Sequence, residues 1–167
     1  MRKFIFAALA AALLTGCATL LNNGTSTKNG LREARRNAIA RMLDNRHYTI
    51  EADYAMPYRG TQIPLSYGYS LEISGDTIKS YLPYFGRAYN IPYGGGKGLN
   101  FTALINEYKE SVTKHGTRHI ELLTVTDEDS YLYKIDISDN GYASFDVVAR
   151  ERERISFHGE MSVSTGK

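Results

Sequence analysis

Gly94-Gly95-Gly96-Lys97-Gly98 is the run that comes nearest to a phosphate loop. Such a loop cradles phosphate oxygens on glycine N–H groups, sets a lysine against them and follows it with Ser or Thr for magnesium. Here the first glycine of the pattern falls at Ile91, and Gly98 stands where the hydroxyl belongs, so the run reads as a flexible loop. His115 and His119 have the i, i+4 spacing of paired metal ligands on a helix. Gly116 lies between them and marks a turn, and no third ligand follows in register. A Gly-x-Ser-x-Gly nucleophile elbow is missing. Glu51, Asp53, Glu72, Asp136, Asp146 and Glu160 are the carboxylates that cross-strand pairing would bring together for glycosidase-type acid–base work. They fall on the polar side of their strands, where charge ordinarily keeps a sheet soluble. In Arg150-Glu151-Arg152-Glu153-Arg154 the sign alternates, so extended geometry puts three Arg on one face and two Glu on the other. That suits a blunted sheet edge. Arg154 leads into the last strand and Arg87 sits among tyrosines, which makes these two the candidates for an anion-facing patch. The residue types and spacings predict no enzyme, no cofactor and no metal site.

The chain holds a single cysteine, Cys17, at the end of Leu14-Thr15-Gly16-Cys17. Arg2 and Lys3 precede eleven apolar residues from Phe4 to Leu14, a charged start and an apolar stretch too short to span a bilayer. The tetrapeptide resembles the bacterial lipobox, which implies cleavage after Gly16 and a diacylated Cys17. Residues 1–16 are therefore expected to be a lipoprotein signal peptide. Residues 17–30 are expected to be the lipidated cysteine and a polar, flexible tether rich in Gly, Ser, Thr and Asn. Cleavage would remove Arg2 and Lys3 and leave 18 basic against 18 acidic residues. A neutral mature domain has no global field for nucleic acid, and its membrane contact has to come from acyl chains.

The elements that must position any site follow from periodicity. Leu31, Ala34, Ala38, Ile39, Met42 and Leu43 lie on one stripe of a helix over residues 31–45, with Arg32, Arg35, Arg36 and Arg41 on the other side. From residue 47 the period is two. Tyr48-to-Met56, Tyr67-to-Ile73, Tyr131-to-Ile137, Ala143-to-Ala149 and Ile155-to-Val163 alternate apolar and polar residues, and weaker strands are expected at 106–114 and 118–126. Turns are expected at Ser74-Gly75-Asp76 into 77–82, at His115-Gly116, and at Asp139-Asn140-Gly141, where Asn-Gly favours a type I′ hairpin. The predicted class is α+β: one N-terminal amphipathic helix packed on a curved antiparallel β-meander, an open barrel-like sheet, forming a single domain over 31–167.

One stretch breaks the alternation, residues 82–98, rich in Tyr, Gly and Pro. Pro83 and Pro92 each precede a tyrosine and stiffen its setting. Tyr81, Tyr84, Phe85, Arg87, Tyr89 and Tyr93 are the candidate contact residues of a loop-borne surface for a protein, glycan or lipid. The run Gly75-Asp76, Tyr81-Leu82-Pro83-Tyr84-Phe85-Gly86-Arg87-Ala88-Tyr89, Phe101, Asn140-Gly141-Tyr142-Ala143 and Arg154-Ile155-Ser156 with Gly159 resembles the Bacteroidetes lipoproteins of domain-of-unknown-function family 4251, over about residues 35–163. The resemblance implies an envelope lipoprotein of a gut-type Gram-negative bacterium and brings no activity or catalytic residue. Within that setting Ala18–Asn23, with no acidic residue, suggests an outer-membrane anchor facing the periplasm. Asp76-Thr77-Ile78 resembles the three-residue O-glycosylation acceptor of these organisms, at Thr77. The expected role is a non-catalytic binding or structural one, with the loop 81–98 as contact surface. The alternatives are a lipid or small-molecule carrier using the concave face of the sheet and, behind it, a hydrolase.

Overall fold

The computed structural model describes residues 23–66, 68–89 and 97–163. Cys17, Tyr67 and Tyr93 lie outside them. The chain divides into two units after Ala34. Helix α1 (Asn23–Asp44) starts eight residues before the expected position, so residues 23–30 are helical rather than a coiled tether. Its apolar stripe is only partly used. Leu31 is 67% exposed and Ala34 is exposed, whereas Ile39 and Leu43 are buried and Met42 is half-buried. Each fully buried aliphatic of this kind contributes about 1.5–3 kcal/mol.

Nine antiparallel strands follow: β1 (His47–Pro57), β2 (Ile63–Pro64), β3 (Ser70–Ser74), β4 (Thr77–Leu82), β5 (Leu99–Val112), β6 (Arg118–Val125), β7 (Ser130–Ile137), β8 (Tyr142–Ala149) and β9 (Ile155–Met161). From β3 to β9 each strand pairs with its sequence neighbour, as expected of a meander. The sheet does not stay open. β1 pairs with β3 through His47–Glu51 and with β9 through Ile50–Pro57, which closes eight strands into a barrel; β2 is an extra flange on β1. Closure satisfies both edges of the meander, which an open sheet would leave as unpaired N–H and C=O groups.

Inside, Tyr131, Tyr133, Phe145, Phe157, Ile50, Ile73, Ile78 and Leu122 are at most 2% exposed. The concave face that a carrier would need is filled by these side chains. Buried hydroxyls are satisfied: Tyr133 donates to Ser80 Oγ at 3.1 Å, and burial pushes its phenol well above the ordinary tyrosine range. A bulge in β1 between Ala52 and Tyr54 shifts the phase of alternation. Tyr54 therefore points out, 42% exposed, and Ala55 takes the inward place.

The hairpin turns also differ in detail. At Ser138–Tyr142 only Gly141 has positive φ (94°), with Gly141 N–H donating to Ser138 C=O (3.0 Å) and Ser138 N–H to Tyr142 C=O (2.8 Å). That is a type I turn with a one-residue glycine bulge, not the type I′ turn, because Asn140 keeps negative φ. The β5–β6 turn repeats the arrangement with Gly116 at φ 82°. From Arg35 onward α1 lies over these two hairpins at one mouth of the barrel. Arg35 donates to Asn140 C=O and Glu160 (both 3.1 Å), Arg36 pairs with Asp139, and Arg118 pairs with Asp44 at 2.6 Å. Two of the arginines opposite the apolar stripe, Arg35 and Arg36, thus serve to dock the helix. The opposite mouth carries the β4–β5, β6–β7 and β8–β9 connections, and the candidate site lies there.

Candidate functional site

At this mouth the segment after β4 turns back on itself. Leu82 is buried at the end of the strand, and Pro83 directs the chain away. The Tyr84 hydroxyl lies 2.9 Å from the carbonyls of both Arg87 and Glu153. Burial, and next the negative charge of Glu153, raise its pKa. Gly86 permits the fold-back: a Cβ there would stand 2.6 Å from the Tyr84 hydroxyl oxygen and 2.9 Å from Cζ. The segment is strapped to the β8–β9 connection. Tyr89 N–H donates to Glu151 C=O (2.8 Å), Glu153 N–H to Arg87 C=O (2.9 Å) and Arg87 N–H to Glu153 Oε2 (3.3 Å), around an Ala88–Arg152 bridge.

The expected contact residues separate accordingly. Tyr84 holds the loop in place. Phe85, Arg87 and Tyr89 face solvent at this mouth, Tyr89 at 68% exposure. Tyr81 belongs instead to the outer wall of β4, stacked on Tyr69 at 5.5 Å between centroids. Tyr93 lies outside the described residues. Thr77 is half-exposed at the start of β4.

Sequence reading missed the charged cluster beneath the loop. Arg152 and Asp129 are buried. Asp129 Oδ1 accepts N–H groups of Ser130 (2.8 Å) and Arg150 (3.1 Å), and Oδ2 accepts that of Glu151 (3.2 Å). Arg152 lies 3.5 Å from Glu128 and 3.9 Å from Asp129, with its guanidinium 5.5 Å from the Tyr84 ring centre. Among the described residues, its Nε has no hydrogen-bond partner. Both Glu128 oxygens accept the Lys97 N–H at 3.1 Å. The cluster therefore ties all three connections together. The sign alternation of residues 150–154 was the available signal, but it does not say which arginine turns inward. Arg154 and Arg87 were the candidates, whereas the buried one is Arg152; Arg154 lies over Tyr58 at 5.7 Å. This segment is not a blunted edge, since it links β8 to β9 within the closed barrel.

Beside the cluster a groove of about 560 Å³ opens in the barrel wall, with Lys97, Phe101, Thr102, Leu104, Asp127 and Glu128 among its lining residues. Strand register creates it. β5 pairs with β4 over Leu99–Leu104, but with β6 only from Ile105 onward. Asn106 Oδ1 accepts the Val125 N–H (3.0 Å) where pairing stops, and the chain then turns at Thr126–Asp129. Phe101 stacks on Tyr131 at 4.7 Å and forms the floor; the Tyr131 hydroxyl donates to Gly98 C=O at 3.1 Å.

The outer wall carries the other expected chemistry residues. His119 Nδ1 lies 2.8 Å from Asp136 Oδ1, its Nε2 is 3.7 Å from Glu121, and Ser156 donates to Asp146. His115 sits in the exposed β5–β6 turn. Among the described residues no three His, Cys, Asp or Glu side chains are disposed to hold a metal ion, and no helix is long and apolar enough to cross a membrane.

The family model described as domain of unknown function, DUF4251, matches residues 31–161. The chain belongs to the DUF4251 family. Residues 1–18 match the prokaryotic membrane lipoprotein lipid attachment site, the span that holds Cys17. This DUF4251 protein is thus a membrane-anchored lipoprotein. Its fold is similar to that in the crystal structure of a DUF4251 family protein from Bacteroides eggerthii DSM 20697, with a TM-score of 0.58, 13% identity, 77% of this chain and 87% of that one covered. No curated protein matches this DUF4251 chain.

Proposed function

We propose that this DUF4251 lipoprotein is a membrane-tethered, non-catalytic binding module whose contact surface is the loop-bearing mouth of the barrel. The observation that carries the reading is the groove between the first half of β5 and the β6–β7 turn, at the same mouth as exposed Phe85 and Tyr89. Concave sites with an apolar floor and a few polar groups are the usual places of ligand capture. The filled interior speaks against cargo inside the barrel and directs attention to the wall. The Tyr84 strap and the Arg152 cluster supply rigidity, and the exposed residues beside them supply contact. In this reading Cys17 carries the acyl chains, the anchor faces the periplasm from the outer membrane, and Thr77 is accessible for O-glycosylation.

The test is site-specific photo-crosslinking in intact cells of the source bacterium. A benzoylphenylalanine at Leu104, 69% exposed on the groove rim, should give discrete adducts. The same residue at Tyr142, 61% exposed at the other end of the barrel, should not. Equal yields at the two positions, or none at either, would defeat the proposal. Protease shaving checks the orientation: degradation without lysis would rule out a periplasmic face.

A further inference from the structure

We infer that the groove takes a single extended peptide strand, which pairs with the open edge of β5 and carries a basic side chain against Asp127. The inference rests on the groove being the contact surface and names the chemistry of what enters it.

The argument begins with the backbone. Ile105 N–H donates to Asp76 C=O at 2.8 Å. Odd-numbered residues in this part of β5 therefore turn their main chain toward β4. The even-numbered ones, Asn100, Thr102 and Leu104, turn theirs the other way, and their side chains are exposed outside the barrel. Below Ile105 no strand among the described residues stands on that side. Lys97 C=O takes the Asn100 N–H (3.1 Å), and the Thr124 hydroxyl donates to Leu104 C=O (2.8 Å). The Asn100 carbonyl, both main-chain groups of Thr102 and the Leu104 N–H are left, with no partner among the described residues. This alternation of acceptor and donor along one line is the pattern another extended main chain satisfies. A sugar or an acyl chain has no matching repeat.

The far wall decides which strand fits. Thr126, Asp127 and Glu128 line the groove opposite β5, so the opening is a slot and not a flat edge. A second copy of this protein would present its β5 with β4 behind it, so two strands would have to meet the wall of Thr126, Asp127 and Glu128. A lone peptide brings one strand, set about 4.8 Å from β5. Asp127 is exposed, with no ion-pair partner among the described residues, and Glu128 beside it is engaged by Lys97 N–H and Arg152. The wall thus favours a lysine or arginine on the entering strand. Its inward-facing residue meets Phe101 and Ala103, and its outward one lies between Leu104 and Val125, 69% and 54% exposed. An alternating apolar and basic sequence fits all of these.

The probe is a capped peptide of alternating valine and lysine, as long as the Asn100–Leu104 edge, added to the intact chain purified in detergent. Amide hydrogen exchange at Thr102 and Leu104 should slow by about tenfold or more at saturation. Thr102→Pro removes the free donor but leaves the β4 ladder, because that N–H faces the slot, and proline is accepted at such edge positions. It should weaken binding by about tenfold, while Thr102→Ala, which keeps the N–H, binds as the parent does. Asp127→Asn should weaken it by about threefold. If Thr102→Pro fails to fold, methylating the peptide's own slot-facing amides is the equivalent test and should also cost about tenfold. Unchanged amides at Thr102 and Leu104, or a folded Thr102→Pro chain that binds as well as the parent, would overturn the inference. So would equal protection by a neutral oligosaccharide, or self-association that Thr102→Pro abolishes. Adducts at Leu104 in cells with no peptide binding sink this inference alone, whereas peptide binding without adducts sinks the proposed cellular role.

Discussion

Replacing Gly159 by alanine tests the barrel at its seam. Gly159 pairs with Ala52 where β9 meets β1, and an added Cβ would stand 1.8 Å from the Glu51 carbonyl oxygen and 2.8 Å from its carbon. Cβ atoms essentially never come within 3.0 Å of another heavy atom, so the two backbones must separate by about 1.2 Å. No side-chain rotation relieves this, because the obstructing atoms are main chain. A shift of that size breaks roughly two ladder hydrogen bonds at about 1 kcal/mol each. Loosening the packing around buried Ala52 and Met161 brings the expected loss to about 3 kcal/mol. For a domain of this size the melting temperature should fall by about 6–12 °C. Equilibrium denaturation in urea reads the free energy directly. Gly116→Ala is the control: its φ of 82° is unfavourable to alanine, but nothing lies within 4 Å. It should cost about 1 kcal/mol, the price of backbone strain alone. If Gly159→Ala costs no more than Gly116→Ala, the seam is not closed as described. The concave face would then be open again to a carrier role.

Gly86→Ala should release the Tyr84 ring from under Arg152, seen as faster hydrogen exchange at residues 84–89 and a loss of about 1–3 kcal/mol. Arg87→Ala should leave stability within about 0.5 kcal/mol, because the side chain is exposed and the strap uses only its main chain; a melting curve checks this, and unfolding would make the guanidinium architectural. Arg152→Leu should cost about 3 kcal/mol by thermal denaturation, since it leaves buried Asp129 and half-buried Glu128 without their cation. Alkaline titration should show a set of late phenols. Burial raises Tyr133, Tyr48, Tyr131, Tyr84 and Tyr108 above the ordinary value of 10.0, so the folded chain holds those protons more tightly than the unfolded chain does. Stability should be flat up to about pH 10 and fall above it. Tyrosinate absorbance that rises in one step near 10 without unfolding would contradict the burial.

How far the primary structure reaches can be judged from particular residues. Alternation in Tyr131–Ile137, Ala143–Ala149 and Ile155–Met161 sufficed to place the strands and their inward sides, because a period of two has only one way to bury a face. The turns at Gly75, Gly116 and Gly141 were legible for a local reason, the glycine at positive φ. The acyl anchor is equally local, a signal and a tetrapeptide ending at Cys17. The segment after β4 was legible as a break in the alternation but not as a set of roles. Nothing in Tyr81, Tyr84 and Tyr89 as residue types tells that the first lies on a strand wall, the second folds under Arg152 and the third faces water.

What only the tertiary structure decided depends on pairings between distant residues. Closure joins Ile50–Pro57 to Ile155–Met161, about a hundred positions apart, and depends on both strands having a free edge in space. The bulge beside Ala52 reverses the phase of β1 and is set by that same seam. Arg152 turns inward because Glu128 and Asp129 of the β6–β7 turn and Tyr84 of the segment after β4 arrive from two other parts of the chain. The slot beside Thr102 exists because β6 ends where β5 has not yet begun to pair with it. Patterning of single residues records which side of a strand is dry; it does not record where a neighbouring strand stops, and the stretch of β5 that β6 leaves unpaired is a consequence of that stopping point.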